Sequence, residues 1–226
     1  MIRQYAAGEL EPVPQPLFEM YPASILSDVE GKDVLCLASG GGQQSAVFGL
    51  LGARVTVADF AEGQLEGDRA AAKHYGYEVT TVRTDMRDLS CLGAERFDLV
   101  YQAPSMCYIP DVREVYVQVA KVLKPGGLYR ACHADPATEF VDWNSWDGTG
   151  YRITMPYSER VEKDGSIQFR HHMSDIFNGL IEAGLSLVQV QDDPQIFRQE
   201  NAQATPGTWA HWLTYIGGFA IVARKG

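Results

Sequence analysis

The chain alternates short apolar runs with stretches in which apolar residues recur every three or four positions. Val34–Ala38 is continuously apolar, the pattern of a strand buried on both faces. Gln44–Leu51 then reads as a helix, and Arg54–Ala58 repeats the strand pattern up to Asp59. A helix over Ala61–Tyr75 stops at Gly76, a residue that tolerates the left-handed conformation closing many helices. Val79–Thr84 and Phe97–Tyr101 predict a third and a fourth strand. The next helix has the plainest amphipathic face, with Val112, Val115, Tyr116, Val119, Val122 and Leu123 on one side. Asp111 and Glu114 stand at capping-box spacing at its start, and Lys124-Pro125-Gly126-Gly127 ends it. Leu128–His133 is the fifth strand. Ser174–Ala183 is a helix with Ile176, Phe177, Leu180 and Ile181 inward, and Leu185–Val190 and Phe219–Arg224 complete seven strands.

Strands alternating with helices predict an α/β fold, a doubly wound, mostly parallel seven-stranded sheet with helices on both faces. Such sheets bind ligands outside the carboxyl ends of their strands, where the strand order reverses. The pattern fits one domain over residues 1–226, with residues 1–30 as an N-terminal arm in which Pro12, Pro14 and Pro16 keep Glu11–Pro16 extended. Between the fifth strand and the following helix, residues from about 134 to 172 show no sustained period. Long loops in compact domains are usually functional, so this insertion is a candidate substrate lid.

Composition narrows the function classes. Hydrophobic residues at 46% and charged residues at 21% fit a globular enzyme. A net charge of −10 without any Lys/Arg cluster argues against a nucleic-acid partner, whose phosphates need neutralising. No apolar stretch approaches the ~20 residues that span a bilayer, so no membrane partner is expected. Met1–Gly8 lacks the apolar run of a signal peptide, and Cys36, Cys91, Cys107 and Cys132 form no C-x-x-C pair. Reduced thiols and a cytoplasmic location are the expectation. His171, His172, Asp175 and His211 lack ligand spacing such as H-E-x-x-H, so no metal is expected.

The chemistry-bearing residues cluster at predicted strand ends. After the first strand comes Ser39-Gly40-Gly41-Gly42, a turn that lets backbone approach a ligand and leads into free helix N–H groups. Asp59 ends the second strand 19 residues after Gly40, where a carboxylate can accept from both hydroxyls of a ribose. Nicotinamide and adenosyl cofactors share these two features. Asp85-Met86 at the third strand's end separates them, because a carboxylate there can take an adenine amino proton while the thioether covers the base. Ser45 occupies the third glycine position of a G-x-G-x-x-G fingerprint, and no Tyr-x-x-x-Lys pair occurs.

Phe97-Asp98-Leu99-Val100, Ile109-Pro110-Asp111 and Leu123-Lys124-Pro125-Gly126-Gly127 resemble the corresponding run of class I S-adenosylmethionine-dependent methyltransferases. The glycine turn, Asp59, Asp85-Met86 and Leu180-Ile181-Glu182-Ala183-Gly184-Leu185 fit the same pattern in the same order, over roughly Val34 to Val190. The string from Cys36 to Gln44 looks like that of a methyltransferase type 11-like bacterial subgroup. The resemblance implies a Rossmann-like methyltransferase sheet with S-adenosylmethionine as cofactor. It puts Ala38, Ser39 and Gly40 at the methionine portion, Asp59 at the ribose, and Phe60, Asp85 and Met86 at the adenine. Gln102 and Ala103 would flank the sulfonium. Cys36 stands where the family carries an acid and Ala38 where it carries a glycine, so the methionine ammonium needs another acceptor.

The expected reaction is methyl transfer to an oxygen or nitrogen atom of a small molecule. His171, Tyr108 and His133 are candidate catalytic groups if the acceptor must lose a proton, and His172, Trp143 and Tyr157 are candidate substrate-binding residues. The same aromatics equally fit a lid packed onto the sheet, and Trp209, Trp212 and Tyr215 read as structural. An RNA methyltransferase, a non-catalytic adenosylmethionine-binding protein and an NAD-dependent oxidoreductase stay as alternatives. The acceptor's identity and the oligomeric state stay open.

Overall fold

A computed structural model describes residues 1–10, 17–134, 141–142, 144–162, 167–197 and 203–226. The predicted extended arm Glu11–Pro16 and the candidate Trp143 lie outside the described residues. In chain order the elements are α1 (Ile2–Ala6), β1 (Asp33–Leu37), α2 (Gln43–Leu50), β2 (Arg54–Asp59), α3 (Glu62–Tyr75), β3 (Val79–Arg83), β4 (Phe97–Gln102), α4 (Val112–Val122) and β5 (Leu123–Ala134). There follow β6 (Val141–Asp142), β7 (Arg152–Ile153), β8 (Val161–Glu162), β9 (Gln168–Phe169), α5 (Met173–Glu182), β10 (Leu185–Asp192), α6 (Trp209–Ile216) and β11 (Gly218–Lys225).

Seven strands form the central sheet in the order β10-β11-β5-β4-β1-β2-β3. β1 through β5 pair in parallel, and β11 runs antiparallel to both β5 and β10. The order reverses between β1 and β4, which leaves a crevice at their carboxyl ends. Strand residues point alternately to opposite faces, so the continuous apolar run of β1 feeds two cores. Leu35 and Leu37 join the core beneath α4 and α5, while Val34 and Cys36 join the one beneath α2 and the N-terminal segment. On α4, Val112, Val115, Tyr116, Val119 and Val122 are buried, and the Asp111 carboxylate caps the helix by accepting from the Arg113 N–H.

Two expectations need correction. The Lys124–Gly127 stretch is not a loop ahead of the fifth strand, because β5 begins at Leu123 and contains it, with a jump in register against β4 between Phe97 and Leu99. Gly126 takes the left-handed φ of 76°, and a Cβ on Gly127 would lie 2.9 Å from the Lys124 carbonyl. Lys124 then bridges Asp98 at 2.8 Å and Asp33 at 3.1 Å. Hydrogen bonds from Arg54 and Lys124 hold the Asp33 carboxyl at about 2. The insertion after β5 is also less irregular than its pattern suggests, since it holds two antiparallel ribbons, β6 with β7 and β8 with β9.

The N-terminal segment is tied down by a buried cation. Arg130 on β5 is fully buried and donates to the carbonyls of Tyr21 at 2.9 Å, Glu19 at 3.0 Å and Gln102 at 3.1 Å. Its guanidinium lies over the rings of Tyr21, at 4.7 Å, and Tyr101, at 4.5 Å. No carboxylate appears among these partners. The charge is held by carbonyl dipoles and ring faces, an arrangement suited to the weakly hydrated, planar guanidinium. Among the described residues no helix is long and apolar enough to cross a membrane.

Candidate active site

A cavity of about 500 Å³ opens at the carboxyl ends of β1, β2, β3 and β4. Ala38 and Gly40 form one wall, Asp59 and Phe60 the next, Asp85, Met86 and Arg87 the third, and Pro104, Ser105, Tyr108 and Ile109 the fourth. The glycine turn is shaped by contacts with α3. A Cβ on Gly40 would meet the Gln64 Cβ at 2.3 Å and an Asp59 carboxylate oxygen at 3.0 Å. Gly42 has φ 91°, and there a Cβ would lie 2.6 Å from the Ala71 Cβ. Ala38, immediately after β1, carries a positive φ of 46° without being glycine, a costly conformation of the kind that persists where surroundings enforce it.

Asp59 is held by main-chain donors on each oxygen, the Gly40 N–H at 3.1 Å and the Ala61 N–H at 2.9 Å. Each carboxylate oxygen accepts more than one bond, so Asp59 keeps acceptor capacity toward the cavity it lines. Asp85 lies across from it, engaged by Arg87 through the guanidinium at 2.6 Å and the backbone N–H at 2.9 Å. The side-chain bond from Arg87 pulls the Asp85 carboxyl down and keeps it ionised.

Gln102 and Ser39 stand apart from the other expected cofactor residues. Gln102 is fully buried below the fourth wall instead of on the cavity surface. Its amide oxygen accepts from the Tyr129 hydroxyl at 2.5 Å, and its amide nitrogen faces the Ser105 hydroxyl at 3.0 Å and the Met86 sulfur at 3.5 Å. It therefore braces two wall residues from behind. Ser39 is likewise buried, its hydroxyl donating to Leu37 and Tyr101 carbonyls at 2.9 and 3.3 Å, and Ala103 is largely buried beyond Gln102.

The candidate acceptor-side residues divide. Tyr108 is exposed and lines the cavity. His171 does not line the cavity; it is buried against the loop that carries Tyr108, with Nε2 at 3.0 Å from the Met106 carbonyl, so that nitrogen carries the proton and Nδ1 keeps the lone pair. Burial pulls its pKa below the ordinary histidine value. His133 sits away from the cavity, between the Tyr116 hydroxyl at 3.1 Å and the Phe219 ring at 5.9 Å. Burial drives its pKa down to about 3, the condition of a neutral core residue, and His133 is not among the residues lining the cavity. His172 precedes α5 and stacks on Tyr157 at 4.1 Å, while its backbone N–H donates to the Asp175 carboxylate at 3.0 Å. Neither His172 nor Tyr157 lines this cavity.

Several participants went unnoticed in the sequence. Arg87, Ser105 and Gln64 all line the cavity. Asp68 is fully buried under the turn, where it accepts from the Ser45 hydroxyl at 2.5 Å and the Gly41 N–H at 3.0 Å. A signal for Asp68 existed: it falls between Leu65 and Ala72 on the apolar stripe of α3, where an unpaired carboxylate would be costly. Among the described residues no group of three or more His, Cys, Asp or Glu is arranged to hold a metal ion.

This architecture has relatives. A family model described as "Methyltransferase domain" matches residues 35–131. The uncharacterized methyltransferase YbaJ of Bacillus subtilis (strain 168) is 30% identical over 185 residues, spanning 76% of this chain and 72% of that protein. A ubiquinone biosynthesis O-methyltransferase of Proteus mirabilis (strain HI4320) is 30% identical over 122 residues, and there the likeness spans 53% of this chain and 50% of the enzyme. Among solved structures, an S-adenosylmethionine-dependent methyltransferase from Mesorhizobium loti superposes with a TM-score of 0.74 at 24% identity, covering 89% of this chain and 94% of its own. Geranyl diphosphate methyltransferase in complex with its cofactor gives 0.70 at 15% identity, covering 98% and 89%. Both likenesses concern the fold, and both carry the Rossmann-like sheet described above.

Proposed function

The chain belongs to the S-adenosylmethionine-dependent methyltransferases, and from that premise we propose that it transfers the methyl group to an oxygen or nitrogen atom of a small molecule. The observation that carries the proposal is Tyr108, an exposed phenol on the loop after β4 that shares a cavity wall with Ser105 and Ile109. The net charge of −10 disfavours an RNA acceptor. The name of the Proteus relative adds a precedent for an oxygen atom of a small molecule.

Bound S-adenosylmethionine supplies an activated methyl group, so the protein contributes mainly alignment and exclusion of water. The donor set suits that cofactor. Asp59 is aimed by two backbone N–H groups and would accept from the ribose hydroxyls. Phe60 and Met86 would offer apolar faces to the adenine, and Asp85, already engaged by Arg87, would accept from the adenine amino group. Ala38, Ser39 and Gly40 present backbone to the methionine portion at a turn with no room for a Cβ at Gly40. Gln102 would serve the sulfonium side from behind through Met86 and Ser105, and Ala103 through its carbonyl, which accepts from the Ser105 hydroxyl at 3.0 Å. Where the acceptor must lose a proton, the Nδ1 lone pair of His171 would take it, and the Tyr108 hydroxyl would orient the acceptor by hydrogen bonding. Residues from about 134 to 172 are assigned as the substrate lid of a single domain over 1–226, with Trp143, Tyr157 and His172 as its candidate contacts to the acceptor, although neither Tyr157 nor His172 lines the cavity.

Calorimetry with S-adenosylhomocysteine and NAD tests the cofactor side. The first should bind, the second should not, and Asp59→Ala should weaken the first by about 1.5–3 kcal/mol, the range for a hydrogen bond to a charged group. For the acceptor, tritium from labelled cofactor should reach members of a phenol and amine panel and not bulk RNA. Tyr108→Phe and His171→Ala should then slow single-turnover transfer with cofactor affinity unchanged. Transfer to RNA at physiological salt would overturn the small-molecule reading.

A further inference from the structure

A second cavity, of about 750 Å³, opens on the far side of the glycine turn, between α1, the Leu17–Met20 stretch and the start of α2. Gly40 walls the first cavity and Gly41–Gly42 the second, so the two meet at one turn. Two acceptors converge in the second cavity. Gln44, in the first turn of α2, is only 4% exposed, and its amide oxygen has no partner among the described residues. Leaving a buried acceptor unpaired costs about 1–3 kcal/mol, so this atom calls for a donor. The Glu19 carboxylate lies beside it, 3.5 Å from the Gln44 amide nitrogen, a contact too long to satisfy either group.

Glu19 is held in this position by its backbone. Its carbonyl accepts from the Arg130 guanidinium at 3.0 Å and the Tyr101 hydroxyl at 2.5 Å, which leaves the side chain exposed to the cavity. Among the described residues no other acid at the turn faces this cavity. Asp59 turns its spare acceptor capacity to the first cavity, and Asp68 is sealed and spent on Ser45 and Gly41. Cys36, where the family carries an acid, is a fully buried thiol whose pKa burial pushes up. An anionic acceptor and a buried neutral acceptor, with no lysine or arginine among the described residues that line the cavity, fit a primary ammonium.

We propose that Glu19 and Gln44 hold the α-ammonium of S-adenosylmethionine, taking over the part that Cys36 cannot play. The proposal rests on the reading that Ala38–Gly40 flank the methionine portion. It makes the segment before β1, and not β1 itself, the reader of the cofactor's amino-acid end.

Three ligands separate the contributions in calorimetry on the full chain. S-adenosylhomocysteine carries the ammonium and the carboxylate, decarboxylated S-adenosylmethionine keeps the ammonium alone, and 5′-methylthioadenosine has neither. Glu19→Gln should weaken the first two about tenfold or more and leave the third unchanged, as expected for a charge-assisted bond. Gln44→Leu should give the same pattern with a smaller loss. Circular dichroism should match wild type for Glu19→Gln, because the bonds to Arg130 and Tyr101 use the main chain. Equal weakening of all three ligands would mark a structural role, and no change in any would remove the contact, each overturning the proposal. A wild-type protein that binds 5′-methylthioadenosine as tightly as S-adenosylhomocysteine would refute the placement of the methionine portion, and this inference with it.

Discussion

The two ends of the sheet's carboxyl edge are built from different materials. Around β1, β2 and β3, carboxylates are aimed by main-chain N–H groups: Asp59 by Gly40 and Ala61, Asp68 by Gly41, Asp85 by Arg87. Around β5 and the insertion, rings and histidines are held by one another. Trp146 packs on His211 at 4.6 Å, Tyr215 at 5.0 Å and Tyr151 at 5.1 Å, while the Tyr151 hydroxyl meets His211 Nδ1 at 2.7 Å. The first end is preorganised by short, directional bonds within a rigid turn. The second depends on the docking of separate segments, an assembly whose opening takes fewer bonds. If the insertion is the proposed substrate lid, the site joins a fixed cofactor half to an adaptable acceptor half, as expected of a fold that serves many acceptors.

The largest effect separating the halves is expected at the turn. Gly40→Ala pushes a methyl into Gln64 and Asp59, and overpacking of this kind costs up to ~3 kcal/mol. Thermal unfolding and S-adenosylhomocysteine affinity should both fall; a variant that binds normally would deny the turn its rigidity. A smaller effect, about 2 kcal/mol, is expected for Trp146→Ala, which removes three ring contacts worth ~0.5–1.5 kcal/mol each. Here proteolysis of the insertion should speed up while cofactor affinity stays put. Loss of cofactor binding in Trp146→Ala would mean that the halves are not independent.

The smallest effect concerns pH. His133 is neutral in the folded protein because its pKa is about 3, against 6.5 for an ordinary histidine. Between those values the unfolded chain binds a proton that the folded chain refuses, so stability falls as pH drops below about 6.5. One such group contributes up to ~1.4 kcal/mol per pH unit. His133→Gln does not titrate, and its denaturation midpoint should depend less steeply on pH between 6.5 and 5.5, a window over which the histidine contributes about 1 kcal/mol. An unchanged slope would assign the acid sensitivity elsewhere, His171 being the next group pulled down by burial.

The same contrast explains what the amino-acid pattern reveals. The face of α4, the strand ends at Asp59 and Asp85 and the glycine turn follow from neighbours within a few residues, and periodicity reads them directly. The ribbons β6–β9 are two residues each, too short for any period to register. His133 looks like a strand-end candidate until Tyr116 and Phe219 close over it, contacts fixed by packing and not by spacing. Gln102 falls at a strand end like Asp59, yet the Tyr129 hydroxyl turns it inward. Arg130 sits in an otherwise ordinary strand, and its partners Tyr21 and Glu19 lie 109 and 111 residues away.

Arg130 also sets how short a working fragment can be. A truncation starting at Asp33 would keep every strand of the central sheet and the whole region matched by the family model, residues 35–131. It would also strip Arg130 of the Tyr21 and Glu19 carbonyls and of one of its two ring faces, leaving a buried cation with the Gln102 carbonyl and Tyr101. An uncompensated buried charge costs several kcal/mol, comparable to the whole stability of a small domain. The smallest autonomous unit therefore begins ahead of the recognisable sequence signature, and libraries or fusions cut at the signature's edge should yield insoluble protein.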